Sequence, residues 1–182
     1  APFPKADDRF GQVLSVKGNW LFIASSYQDF DADESDSIAD AGAVYVYRLE
    51  RSVWVFKQKI VSPDRTAGDR FGYSVDAGLK YAAIGLPFED EDSSGNNTLN
   101  NAGSVYVYRL YNDSWYLDKK IHAGIRRATD NFGFAVSLSD STLAVGSTNN
   151  NTNASNTSSI NGAGSVYIFK RVNGYWTQVQ KI

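Results

Sequence analysis

Between Gly72 and Ile121 the chain reads as a run of short strands. Gly72-Tyr73-Ser74-Val75-Asp76-Ala77 alternates along its length, the period-two pattern of a half-buried strand. Gly78-Leu79-Lys80 supplies a turn. Tyr81-Ala82-Ala83-Ile84-Gly85 is apolar throughout, as a strand covered on both faces should be. A polar stretch from Pro87 to Asn101 follows. Ser104-Val105-Tyr106-Val107-Tyr108-Arg109 then places valines on one face and tyrosines on the other, a strongly β-forming composition. Tyr111-Asn112-Asp113 turns the chain into Trp115-Tyr116-Leu117-Asp118-Lys119-Lys120-Ile121, whose charges suit an outer edge. The pattern predicts four antiparallel strands and no helix.

The same pattern occurs three times at a fixed spacing of 61 residues. Phe10-Gly11, Phe71-Gly72 and Phe132-Gly133 form one series, and Gly42, Gly103 and Gly164 another. Trp54, Trp115 and Trp176 form a third, and Ile60, Ile121 and Ile182 a fourth. Val44-Tyr45-Val46-Tyr47 and Val166-Tyr167-Ile168-Phe169 mark the third strand of the outer copies. Fixed-period self-similarity marks a repeat architecture, in which a unit cannot bury its apolar faces alone. The expected units are 1–61, 62–122 and 123–182. Four-stranded units set around an axis are propeller blades. The alternative, a stacked β-solenoid, has shorter coils without tight turns between all strands. The recurring glycines read as places of close backbone approach or positive φ.

The Phe-Gly openings, Ile84-Gly85-Leu86-Pro87 and Gly103-Ser104-Val105-Tyr106-Val107-Tyr108 resemble FG-GAP repeats, the blades of the integrin α-chain propeller and of many bacterial surface proteins. The resemblance spans all three copies. It implies an all-β fold of three four-stranded antiparallel blades, with the ring completed by oligomerisation or by further blades. It also implies extracellular or cell-surface recognition or adhesion, although a fold alone does not fix a function. Calcium-binding members carry an Asp-rich loop between strands one and two. Here those connections are Lys17-Gly18-Asn19, Gly78-Leu79-Lys80 and Ser139-Asp140-Ser141, too poor in oxygen ligands for calcium.

Composition narrows the function further. A hydrophobic fraction of 42% supports a real core, and a net charge of −2 argues against a nucleic-acid footprint. No apolar run approaches a membrane span, so no membrane insertion is expected. Without cysteine there is no disulfide or cysteine–zinc site. Ala1-Pro2-Phe3-Pro4 is not a signal peptide. The lack of methionine, even at position 1, points to a processed or excised chain that has room in its history for an export signal. Asn-x-Ser/Thr sequons begin at Asn96, Asn112, Asn150, Asn153 and Asn156. They read either as glycan acceptors of a secreted protein or as chance products of Asn- and Ser-rich loops.

The candidate binding residues lie in the long connections between strands two and three, residues 28–41, 89–102 and 150–163. The first two loops are acidic and the third carries no charge. Asp/Glu against Lys/Arg counts are 9 to 7, 9 to 6 and 2 to 5 along the three copies, so two acidic units stand beside a basic one. Asp29, Asp31, Asp33 and Asp40 fall within a spacing that resembles a calcium loop, making calcium the one candidate cofactor. Against it, Glu34 stands where the sharp turn wants glycine, and Asp40 replaces the longer glutamate. A solvated acidic loop is the competing reading. The expected ligand rim comprises Tyr27, Phe30, Phe88, Asp90, Asp92, Asn151 and Asn153, and its expected partner is a protein or a glycan. A glycan-binding lectin would use Tyr27, Phe30 and Phe88. A purely structural assembly module is the reading from another class.

No enzyme is expected. His122 is the only histidine, and nothing in the sequence sets a nucleophile beside it. The plentiful carboxylates sit in loops, where a glycosidase needs two at a fixed separation. Arg9 and Arg70 correspond to Asn131 in the third copy, so they form no threefold cluster, and they are expected to pair with neighbouring acids. Three blades cannot close a ring. Self-association into a six-bladed homodimer is one expected solution, and further blades of a longer chain are the other.

Overall fold

The computed structural model describes residues 1–92 and 98–182. Among them are twelve strands and no helix, arranged as three four-stranded antiparallel sheets. The first blade holds β1 (Leu14–Lys17), β2 (Trp20–Ser25), β3 (Ala43–Glu50) and β4 (Val53–Ile60). The second holds β5 (Ser74–Ala77), β6 (Tyr81–Leu86), β7 (Ser104–Tyr111) and β8 (Ser114–Ile121). The third holds β9 (Phe132–Ser139), β10 (Thr142–Ser147), β11 (Ser165–Val172) and β12 (Tyr175–Lys181). Each sheet is a meander in chain order. β6 is buried at every position, as its unbroken apolar run predicts.

Outer hairpins and bulges repeat with the sequence. Arg51-Ser52, Asn112-Asp113 and Asn173-Gly174 all have positive φ at both positions, the two-residue turn whose twist matches flanking strands. A register shift recurs at Val46/Tyr47, Val107/Tyr108 and Ile168/Phe169. Such a bulge adds local twist. In the second blade the extra residue is Asp118, which accepts hydrogen bonds from Arg171 (2.8 Å) and Trp176 (3.2 Å) of the third.

The core lies between blades. One cluster joins Trp20, Phe22, Ala24, Val44 and Val46 of the first to Phe71, Val75, Ile84, Tyr106 and Trp115 of the second. A second joins Tyr81, Ala83, Val105 and Val107 to Phe132, Leu138, Val145 and Tyr167. The face of one sheet is thus completed only by the next, which is why a single copy cannot stand alone.

The Phe-Gly series and the series of Gly42 and Gly103, each preceded by alanine, meet at these junctions. Gly68, Arg70 and Phe71 donate their amides to the carbonyls of Ala39, Asp40 and Ala41 at 3.0, 3.0 and 2.8 Å. Thr129, Asn131 and Phe132 repeat the pattern on Asn100, Asn101 and Ala102 at 2.7, 3.0 and 3.0 Å. A Cβ on Gly42 would stand 2.3 Å from the Phe71 carbonyl oxygen, and one on Gly103 would stand 2.1 Å from that of Phe132. Glycine is required there because one blade's backbone is stacked on the next. Near the inner strands, Asp76 ties the blades together: Oδ1 accepts from Ser15 at 3.2 Å and Oδ2 from the Leu138 amide at 2.7 Å.

Candidate functional site

Each long loop is anchored over the same buried node. Near the end of each unit's fourth strand lies Lys59, Lys120 or Lys181, whose ammonium is 5.6, 5.4 or 5.6 Å from the ring centre of Tyr45, Tyr106 or Tyr167. The loop's first residue, Gln28, Glu89 or Asn150, is fully buried beside it. In the second blade Lys120 pairs with Glu89, with Asp64 at 2.8 Å and with the Asp92 carbonyl at 3.1 Å. Lys59 pairs with Glu34. Among the described residues Lys181 has only neutral acceptors, including Asn150 Oδ1 (2.9 Å), Thr152 Oγ1 (2.6 Å) and Asn156 Oδ1 (2.9 Å).

The electrostatics follow from burial. Burial pushes the Glu89 carboxyl up to about 7, against the opposing pull of Lys120 and Ser104. Burial also raises Asp8, Asp69 and Asp130, a second 61-residue series just before each Phe-Gly, with Asp69 reaching about 6. Burial alone would raise Asp64 too, yet hydrogen bonds from Lys120, Ser62 and Tyr106 bring it below its ordinary value. Sequence reasoning missed these Lys, Asp and Gln/Glu/Asn series, although their spacing was visible.

The loops themselves are clipped shut in register. Asp29 Oδ1 accepts from the Asp40 amide (2.8 Å), Asp90 Oδ1 from Asn101 (2.7 Å) and Asn151 Oδ1 from Gly162 (2.6 Å). Asp31 accepts from the Ser35 amide and hydroxyl, and Asp33 from the same amide. Asn153 Oδ1 accepts from the Thr157 amide at 2.9 Å. The side chains of Asp90, Asn151 and Asn153 therefore hold loop backbone, so their rim chemistry is partly spent. Three of the four candidate calcium ligands, Asp29, Asp31 and Asp33, are occupied in the same way, and the Asp40 carboxylate lies 4.0 Å from Arg70. No group of three or more acidic, histidine or cysteine side chains able to hold a metal forms among the described residues. The residues present do not fit calcium.

Tyr27 and Phe88 do come together, through two arginines. The Arg9 guanidinium lies 3.8 Å from the Tyr27 ring centre, and Arg70 lies 4.4 Å from Tyr27 and 5.0 Å from Phe88. Tyr73 continues the series, edge-on to Phe88 and tilted against Phe134. In the third blade both partners change together: Asn131 replaces arginine, Asn149 replaces the aromatic ring, and the two amides hydrogen-bond at 2.6 Å. The expected pairing of these arginines with acids holds at Arg70, whose Nη2 lies 4.0 Å from Asp40 Oδ2, while Arg9 meets no acid among the described residues. Aromatic faces are their main neighbours. Phe30 lies apart from this ladder, under the Lys5 ammonium at 4.6 Å.

Of the sequons, Asn96 lies outside the described residues. Asn112 is exposed on its hairpin. Asn150 is fully buried, with its amide donating to Asp130 at 2.7 Å, so a glycan on it is incompatible with this fold. The ring of His122 presents Nδ1 to the Ala123 carbonyl at 2.9 Å.

No curated protein matches the chain. The family model of the FG-GAP repeat matches residues 54–108 and 115–169, two windows in phase with the 61-residue spacing. Each window runs from a blade's last strand through the next Phe-Gly and past the glycine that ends the long loop into the following blade's third strand, and so contains the parts that make a junction. FG-GAP repeats are found in adhesion and extracellular proteins, and no helix among the described residues is long and apolar enough to cross a membrane. Together the two windows cover more than half of the sequence, and the chain belongs to the FG-GAP repeat family.

Proposed function

We propose that the chain is a recognition or adhesion module acting outside the cell or at its surface, and that it binds a protein or glycan partner through the rim around Tyr27 and Phe88. The supporting observation is the Arg9–Tyr27–Arg70–Phe88 series. Rings fix the guanidinium planes, the exposed Arg9 can meet an acidic group, and Arg and Tyr are among the residues that dominate binding hot spots. A partner presenting carboxylate or sulfate groups suits this chemistry. No catalytic role is assigned, in keeping with a family of adhesion-type modules.

Deleting loops is a poor test, since their carbonyls form the blade junctions. The better test exposes the immobilised chain to acidic and neutral oligosaccharides and to acidic peptides, and repeats it with Arg70→Gln and Phe88→Ala. The expected result is selective retention of acidic probes and a loss of at least about tenfold in each variant, as for a hot-spot residue. Retention unchanged in both variants, or no acidic probe retained, contradicts the reading. The second reading, an assembly module whose function is blade-to-blade contact, rests on the uncovered faces of the first and third blades.

A further inference from the structure

The first and third blades carry the two halves of one junction, each without its partner. At the third blade the positions equivalent to Ala39, Asp40 and Ala41 are Asn161, Gly162 and Ala163, and no described group donates to their carbonyls. Ala163 is exposed where Ala41 and Ala102 are buried. A Cβ on Gly164 would meet nothing closer than the Thr148 carbonyl oxygen at 3.4 Å, because no Phe-Gly backbone is stacked on it. Gly146, Ser147, Ala163, Gly164, Val166 and Ile182 instead line an open cleft of about 540 Å³. These are the positions that receive Phe71-Gly72 and Phe132-Gly133 in the earlier blades.

At the first blade the amides equivalent to Gly68, Arg70 and Phe71 are those of Asp7, Arg9 and Phe10. None donates to a described group. Yet Asp7 and Arg9 already hold φ of 63° and 53°, matching Thr129 and Asn131 at 63° and 52° in the formed junction. The opening segment is therefore set in its docked conformation. The apolar faces are complementary as well. Leu14 and Val16 are exposed, while their equivalents Val75 and Ala77 are buried between blades. Trp54, more than a third exposed, corresponds to buried Trp115. Opposite it, the third blade offers Thr142 and Ala144 where the first offers Trp20 and Phe22, so a bulky face is matched by a recessed one.

We infer that the cleft beside Gly164 receives Phe10-Gly11 of a second copy of this chain, and that two copies close a six-bladed ring through two identical junctions. Each junction adds three backbone hydrogen bonds, from Asp7, Arg9 and Phe10 to Asn161, Gly162 and Ala163. Propellers typically hold four to eight blades, and two copies of the three described blades supply six. A head-to-tail contact that closes gives a twofold ring, the commonest oligomer symmetry.

The test is solution mass by light scattering across a concentration series, for the 182-residue chain and for Gly164→Ala, Gly11→Ala and Gly174→Ala. The wild type and Gly174→Ala are expected at twice 20.0 kDa. Gly164→Ala and Gly11→Ala are expected at the mass of one chain with wild-type circular dichroism, because neither new Cβ meets a close neighbour within the chain itself. Trp54 fluorescence, read with the other tryptophans changed to phenylalanine, is expected to shift to shorter wavelength on association. A single-chain mass at the highest soluble concentration overturns the inference and leaves the cleft to a further blade. A dimer that survives Gly164→Ala, or a mass that grows without limit, overturns it equally.

Discussion

Replacing Gly103 by alanine isolates what a junction contributes. Gly103 sits at φ +80° and Gly174 at φ +86°, so alanine meets the same left-handed backbone penalty at both, about 1–2 kcal/mol. The surroundings differ. At Gly174 the new Cβ meets nothing within 4 Å, whereas at Gly103 it would stand 2.1 Å from the Phe132 carbonyl oxygen and 2.7 Å from its nitrogen. Relief requires the third blade to back away by roughly an ångström, a strain of about 1–3 kcal/mol for overpacking. The Phe132 amide then leaves the Ala102 carbonyl, and a buried group so orphaned costs about 1–3 kcal/mol. Gly103→Ala is thus expected to lose about 2–6 kcal/mol more than Gly174→Ala. At about 2–4 °C per kcal/mol for a chain of this size, its midpoint should fall at least about 4 °C below that of the control. Calorimetry on the two variants under identical conditions measures the difference. Midpoints within a degree or so of each other would show that the stacked backbone at Gly103 does not limit stability, and the junction argument would fail.

Glu89→Gln, which places in the second blade the residue the first already uses at Gln28, tests the buried carboxyl. The Glu89 proton is held up to about 7 against an ordinary 4.5, so its favourable contribution is complete below 4.5 and is lost as pH rises through 7. That loss is bounded at about 3 kcal/mol, and denaturant titrations at pH 5 and pH 8 should show a smaller drop for the variant than for the wild type. Equal drops refute the assignment. Lys181→Met should leave the β11 amides protected while the Thr157 amide exchanges at least about tenfold faster, a local opening of the loop. Global loss of protection without selective loop exchange would show that the lysine holds the blade and not its loop. Millimolar calcium is expected to leave the melting midpoint unchanged, since Asp29, Asp31 and Asp33 are committed to loop amides; a rise that reverses on chelation would contradict this.

Strand content was legible in the sequence because each strand carries its own local pattern. The β6 run is apolar at every position, and the β7 valines and tyrosines face opposite sides, so Tyr81–Leu86 and Ser104–Tyr111 fell where expected. The glycine series also declared itself as close approach, although only the structure shows that Gly103 meets Phe132 of the following unit. The site was less legible. Asp90 and Asn151 looked like free rim side chains because the eleven-residue return to Asn101 and Gly162 is a tertiary hydrogen bond with no local signature. Asp29 to Asp40 looked like a calcium loop for the same reason, since spacing alone cannot show that the oxygens already have partners. The arginine–aromatic series was hidden because Arg70 lies eighteen residues before Phe88 and belongs to another element, and only the paired change to Asn131 and Asn149 betrays it.

The central claim is that blades are joined by Phe-Gly amides docked on the preceding loop's carbonyls. Native-state hydrogen exchange tests it at single residues. The amides of Phe71 and Phe132 are expected to exchange only through global unfolding, with the same free energy as the core of β6 and β7. Exchange at those two amides as fast as at the exposed Gly174 would mean that the junctions are open in solution, and the account of the fold would be wrong.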